Sequence, residues 1–315
     1  MADWATTAFL FPGQGSQVVG MGQDLAAYFP AAKQTFEEAD DLLGFALSDL
    51  CFNGPAEALN DTLNTQPALY VCSLATLRAL QSELPEAVPS FAAGHSFGEF
   101  TALAAFGALS FADGLRLVRE RGRLMKQAGE QYPGAMAAIL SLDIEAVREI
   151  CGHARAGTGG TLVVANDNCP GQVVISGDDA TLEQALVLAK DAGARRTLKL
   201  AVSIAAHSPL MQPASEQFRL AVESTTFAPP QAPVYGNVSA APLPDVDAIR
   251  AELSAQLTSP VRWRESMQAM IADGAETFVE IGPKDVLTGL LKRIDGDKAT
   301  VNLNSAENLL KFAGR

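Results

Sequence analysis

Gly94-His95-Ser96-Phe97-Gly98 places a serine two residues from a glycine on either side. This G-x-S-x-G spacing is that of a nucleophile elbow, where a strand turns sharply into a helix and leaves no room for a Cβ beside the serine. Ser90–Gly94 reads as the strand, and Phe97 opens an apolar helix. A serine hydroxyl is a weak nucleophile at neutral pH, so it needs a base within reach and N–H donors for the oxyanion formed on attack. The first backbone N–H groups of the following helix lack intrahelical partners and are natural donors. A glycine-bounded turn holding an inert serine would show the same five residues.

Only three histidines are available as a base: His95, His153 and His207. His95 adjoins Ser96, and strand neighbours point to opposite faces, so it is badly placed to take the serine proton. His153 sits among Gly152, Ala154 and Arg155 at a helix end and reads as a surface residue. His207 lies where an apolar strand runs into a turn before Ser208-Pro209, which suits a loop at the carboxyl edge of a sheet. By elimination it is the best base, although a lone histidine also serves structure. One cation stands apart as well. In the helix from Ser110 to about Gln127, Arg116, Arg119 and Arg123 share a face while Arg121 is turned away from them. An inward Arg121 offers a planar fork for a carboxylate, and a structural ion pair accounts for it almost as well.

The elements around these residues alternate strand and helix. Thr7–Phe11 is a short apolar strand ending in Pro12-Gly13-Gln14-Gly15-Ser16-Gln17, a turn with neither a phosphate-loop ending nor dinucleotide-site spacing. Residues 31–80 are helical, broken at Asn53-Gly54-Pro55, with a further apolar helix starting at Gln66-Pro67. From Gly129 to Val202 the order becomes β-α-β-β-α-β, a ferredoxin-like module inserted in a larger α/β unit. The expected division is therefore 1–128 with 203–315, and 129–202. The stretch Ala228–Pro244 reads as an extended surface connection around one strand, Val234–Val238.

The chain has 315 residues, 48% of them hydrophobic, and a net charge of −13. That balance supports a large core and argues against nucleic acid or an anionic membrane as partner. Cys51, Cys72, Cys151 and Cys169 are scattered, with no zinc-site spacing, and read as reduced structural thiols. The start of the chain lacks a basic leader and no apolar run reaches the ~18 residues that span a bilayer, so the expected location is cytoplasmic.

Taken in order, Pro12-Gly13-Gln14-Gly15-Ser16-Gln17, Gly94-His95-Ser96-Phe97-Gly98-Glu99, Arg121-Gly122-x-x-Met125, Asn166-x-Asn168-x-Pro170-Gly171-Gln172, His207-Ser208-x-Leu210-Met211 and Ile281-Gly282-Pro283 resemble the malonyl-CoA:acyl carrier protein transacylases. Gln66-Pro67-Ala68-Leu69 and Gly98-Glu99-Phe100 look most like the free-standing acyltransferases that serve polyketide synthases. The resemblance implies an α/β-hydrolase-like large subdomain with a parallel sheet and an inserted ferredoxin-like small one, with the site between them. It implies Ser96 as the acylated nucleophile, His207 as its base, and the backbone N–H groups of Gln14 and Phe97 as the oxyanion hole. Arg121 would hold the free carboxylate of a malonyl-type group, Gln256 would orient His207 through its main-chain carbonyl, and Asn166 would be a further polar group of the site. The implied reaction moves an acyl group from acyl-CoA to the phosphopantetheine thiol of an acyl carrier protein, with no metal or bound cofactor. Hydrolysis of acyl carrier proteins is the alternative on the same scaffold, and Arg121 disfavours it.

At the acyl pocket the sequence departs from its relatives. Where they usually carry a smaller aliphatic residue after the serine, this chain has Phe97, and where they often carry phenylalanine before the histidine it has Ala206, preceded by Ala205. Either bulk has changed sides within a malonyl pocket, or the pocket admits a substituted malonyl or larger acyl group. Lys190, Arg195, Arg196, Lys199, Lys284, Lys292 and Arg293 are the candidate contacts for an acidic carrier protein.

Overall fold

Residues 3–202 and 204–315 are described by a computed structural model. In chain order the strands are β1 (Thr7–Phe11), β2 (Phe91–Gly94), β3 (Ala135–Leu140), β4 (Leu162–Cys169), β5 (Gln172–Gly177), β6 (Arg196–Lys199), β7 (Val234–Tyr235), β8 (Thr277–Ile281) and β9 (Ala299–Leu303). β1 and β2 are buried at every residue, which explains why they read as continuous apolar runs rather than alternating ones. They lie in a parallel sheet of order β7-β2-β1-β8-β9, covered by helices. Because Phe11 pairs with Gly94, the loops that follow β1 and β2 leave the sheet side by side at its carboxyl edge.

The second sheet is antiparallel, of order β4-β5-β3-β6, the split βαβ arrangement expected for the inserted module. Its strands alternate with period two. Ala135, Ala137 and Ile139 of β3 pack under the helices Ile144–Thr158 and Asp179–Asp191, so Met136 and Ala138 point the other way, toward the large sheet. Register shifts in β4 between Val164 and Asn166 and between Asp167 and Cys169 re-aim this strand, and Asn166 bridges to Val261 of the large unit.

Two expectations change, and one is not reached. The boundary after Ala128 falls inside one helix, Phe111–Gln131, because Gly129 lies on its buried face and packs there instead of ending it. The return point at Ser203 lies outside the described residues, as do Met1 and Ala2. β7 is only Val234–Tyr235, but it is buried and pairs with β2 in the main sheet, so this stretch is core at that point and not a surface connection. Among the described residues no helix is long and apolar enough to cross a membrane.

Candidate active site

The elbow is as tight as its glycines require. A Cβ on Gly94 would lie 1.9 Å from the Gly98 backbone, and one on Gly98 would lie 2.4 Å from the Phe11 carbonyl oxygen. Between them Ser96 takes a left-handed backbone conformation, φ 53°, and His207 does the same at φ 57°. Non-glycine residues held this way cost about 1–3 kcal/mol each and persist only where the surroundings over-determine them.

His207 Nε2 stands 2.9 Å from Ser96 Oγ. On the other side of the ring, Nδ1 faces two carbonyl oxygens, Gln256 at 2.9 Å and Ser259 at 3.1 Å. Carbonyls only accept, so the proton sits on Nδ1 and the Nε2 lone pair is turned to the serine hydroxyl. Burial, and then the nearby Arg121, push the His207 pKa down to about 3, which keeps the free imidazole a neutral base. Of the other histidines, His95 also borders the cleft, but its Nε2 meets Asn168 Oδ1 at 2.8 Å and its ring lies against Trp263, while His153 is exposed.

Arg121 is buried, as its helix position predicts, and no carboxylate pairs with it among the described residues. Its Nη2 donates to Ser96 Oγ at 3.1 Å, and its Nη1 donates to Gln66 Oε1 at 3.0 Å and lies 3.1 Å from Met125 Sδ. Nε is buried without a partner. Burial lowers its pKa to about 9, with Glu99 opposing, so the guanidinium stays charged at neutral pH. Among the described residues no structural ion pair accounts for it. What remains is a desolvated cation aimed at the nucleophile, a costly arrangement unless an anion completes it.

Gln14 follows β1 and Phe97 follows Ser96, and both border the cleft. Neither backbone N–H donates to another group among the described residues, so both are free to meet an oxyanion. The cleft, of about 310 Å³, has Ser96, His207 and Arg121 at its floor. Met136, Ala138 and Val174 of the small sheet face Val286, Leu287 and Leu290 of the large unit across it. Asn166 lines this cleft with its side chain bonded to no other described residue, a place in the wall and not in the Ser96–His207 pair. Ala206 lines it also, beside the fully buried Phe97. Ala205 does not. It is wholly buried, with its Cβ turned toward Gly134.

The residues not singled out beforehand are those that hold the others. Gln66 and Met125 lay inside quoted motifs and touch Arg121. Asn237, whose Oδ1 accepts the Ser96 N–H at 2.6 Å, had no local signal at all.

The model of the acyl transferase domain matches residues 8–305. The chain belongs to that family. It is 45% identical over 297 residues to the malonyl CoA-acyl carrier protein transacylase of Haemophilus influenzae, covering 94% of this chain and 95% of that protein. To the Bacillus subtilis (strain 168) protein of the same name it is 45% identical over 302 residues, covering 96% and 94%. Among solved structures it superposes with TM-score 0.95 on a malonyl-transacylase in complex with a type II polyketide synthase acyl-carrier protein, 42% identical and covering 98% of this chain and 99% of that one. The acyl transferase family thus accounts for nearly the full chain, both sheets and the cleft between them included.

Proposed function

We propose that this protein is a malonyl-CoA:acyl carrier protein S-acyltransferase working by acyl exchange through Ser96. The observation that carries the reading is Arg121, a buried and unpaired guanidinium bonded to Ser96 Oγ, where the free carboxylate of a malonyl group would supply the missing charge. His207 Nε2 takes the hydroxyl proton as Ser96 Oγ attacks the thioester carbonyl, and the developing oxyanion meets the Gln14 and Phe97 N–H groups. Collapse breaks the C–S bond, and the His207 proton leaves with the CoA sulfur. The phosphopantetheine thiol of the carrier then gives its proton to His207 and attacks the acyl-serine, and Ser96 recovers the proton as the carrier thioester forms. In this reading no bound cofactor takes part.

Malonyl is the proposed acyl group. Phe97 and Ala206 both line the cleft beside Ser96 and His207, and the reading takes them as a volume-conserving exchange of a large for a small residue. Fatty-acid and polyketide carriers present the same thiol, so the reading covers the carrier class, and a competition between one carrier of each kind assigns the pathway. Intact-mass analysis after mixing with malonyl-, ethylmalonyl- and acetyl-CoA tests the whole scheme. The expected result is a malonyl adduct that Ser96→Ala abolishes. An adduct on another residue, or a preference for acetyl, overturns it.

A further inference from the structure

Ser96 and His207 come from the two stretches of the large unit that flank the inserted module, and both take a left-handed backbone where they face each other. Two residues hold them. Asn237 accepts the Ser96 N–H with Oδ1 and donates Nδ2 to the Gly94 carbonyl at 2.8 Å, gripping the elbow on both sides of its turn. Gln256 accepts from His207 with its main-chain carbonyl and donates Nε2 to the Ser96 carbonyl at 3.1 Å, so it touches both members of the pair. These two holders meet at one atom. Glu99 Oε2 accepts the Asn237 backbone N–H at 3.1 Å and the Gln256 Nε2 at 3.1 Å.

Glu99 is wholly buried in the first turn of the helix Gly98–Ala105. It forms no ion pair with Arg121 among the described residues, and its Oε1 has no hydrogen-bond partner. Burial, with Glu252 close by, raises its pKa well above the carboxylate range, against the pull of its two donors and Arg121. Oε2 can accept both N–H groups whether or not the carboxyl is ionised, since an sp2 oxygen carries two lone pairs.

We propose that Glu99 is a positioning residue of the transfer reaction, whose Oε2 ties Asn237 to Gln256 and thereby holds Ser96 Oγ and His207 Nε2 at reacting distance. The inference rests on the proposed function only in taking Ser96 as nucleophile and His207 as its base. Glutamine at position 99 keeps an acceptor oxygen without charge, leucine removes it, and aspartate withdraws it by one methylene.

The experiment uses the full chain with Glu99→Gln, Glu99→Leu and Glu99→Asp. It reads three quantities: the rate of Ser96 labelling by an alkyl fluorophosphonate, the malonyl-CoA acylation rate with its KM, and Tm. Glu99→Gln is expected to keep both rates within about threefold of wild type. Glu99→Leu is expected to slow both by about a hundredfold at unchanged KM, the penalty of a misplaced reacting pair, with Glu99→Asp in between. If the leucine variant does not fold, the aspartate variant carries the comparison. Wild-type labelling rates in the leucine or aspartate variant, with only a lower Tm, overturn the proposal, and so does a glutamine variant as slow as leucine. A wild type that is labelled but never malonylated overturns the proposed function instead, and leaves the labelling rates to judge Glu99. A wild type that is neither labelled nor malonylated overturns both, and one that is malonylated without being labelled leaves the acylation rates to judge Glu99.

Discussion

Each of the four side chains bonded to Ser96, those of His207, Arg121, Asn237 and Gln256, is held by at least one further partner, whereas the apolar part of the wall opposite, Met136, Ala138 and Val174, has no such bonds in its side chains. The floor comes from the large subdomain and is fixed by directional bonds; this wall comes from the inserted module and is fixed by shape. Directional networks lose function sharply when one member goes, because they leave buried groups unpaired. Apolar walls lose it gradually, in steps of a methylene. Effects of substitution should therefore fall away from floor to wall to rim.

The largest loss is expected at the dyad. Ser96→Ala and His207→Ala should each lower acylation by about 10⁴-fold or more, and the double variant should be hardly worse than either alone, since members acting as a unit are not additive. Rapid-quench measurement of the acyl-enzyme checks this, and near-additive losses would show that the two do not work as a pair. Next comes Arg121→Gln, which should cut the malonyl-over-acetyl preference by about a hundredfold or more, because in the proposed reading the substrate carboxylate loses its buried counter-charge. The same variant has a pH signature. His207 must be neutral to accept the proton, so with its pKa near 3 the wild-type rate of acylation stays level as pH falls through mildly acidic values and declines only toward pH 3. Arg121 is one cause of that low value, so its removal should move the acidic limb to higher pH. A limb that stays in place would separate Arg121 from the base.

Beside the floor, Ala206→Phe adds a ring to a cleft that Phe97 also lines, and overpacking of about 1–3 kcal/mol should lower malonyl transfer by about 10- to 100-fold. A variant with wild-type transfer would mean that the cleft is open there, and would revive the substituted-malonyl alternative.

The same contrast explains what could be read before the structure. Ser96 was legible because an elbow compresses its requirements into five residues, and Arg121 because helix arithmetic separates it from Arg116, Arg119 and Arg123. His207 came by elimination among three, while Gln14, Phe97 and the Gln256 carbonyl rested on resemblance, since backbone donors and acceptors leave no mark in side-chain type. Asn237 was invisible: it follows a two-residue strand in a proline-rich stretch, and its value lies in a bond to a residue 141 positions away. Glu99 was quoted as part of a motif, but its two partners come from two other loops. Ala205 was misplaced because adjacent residues were assumed to share a face. β8 and β9 were not foreseen as strands, since parallel pairing depends on register with distant segments and carries no local turn signal.

The smallest effects belong to the rim, and here the structure divides the seven candidate docking cations. Lys199 is paired with Glu183 and Asp179, Arg293 donates to Gln172 Oε1 and the Pro170 carbonyl, and Lys284 Nζ donates to the Gly15 carbonyl at 2.8 Å. Lys190, Arg195, Arg196 and Lys292 are exposed and make no ion pair or side-chain hydrogen bond among the described residues, so they are the charges free to meet an acidic carrier. Arg195→Glu should raise KM for the carrier protein by about three- to tenfold, more at low salt, and leave acylation by malonyl-CoA unchanged. Lys284→Glu should behave differently. Its ammonium anchors the loop that carries the Gln14 N–H, so reversing it should slow acylation as well as transfer, with kcat falling and KM for malonyl-CoA held. Measuring the two half-reactions separately for both variants places Lys284 with the floor and Arg195 with the rim; equal losses in both half-reactions for Arg195→Glu would remove its docking role.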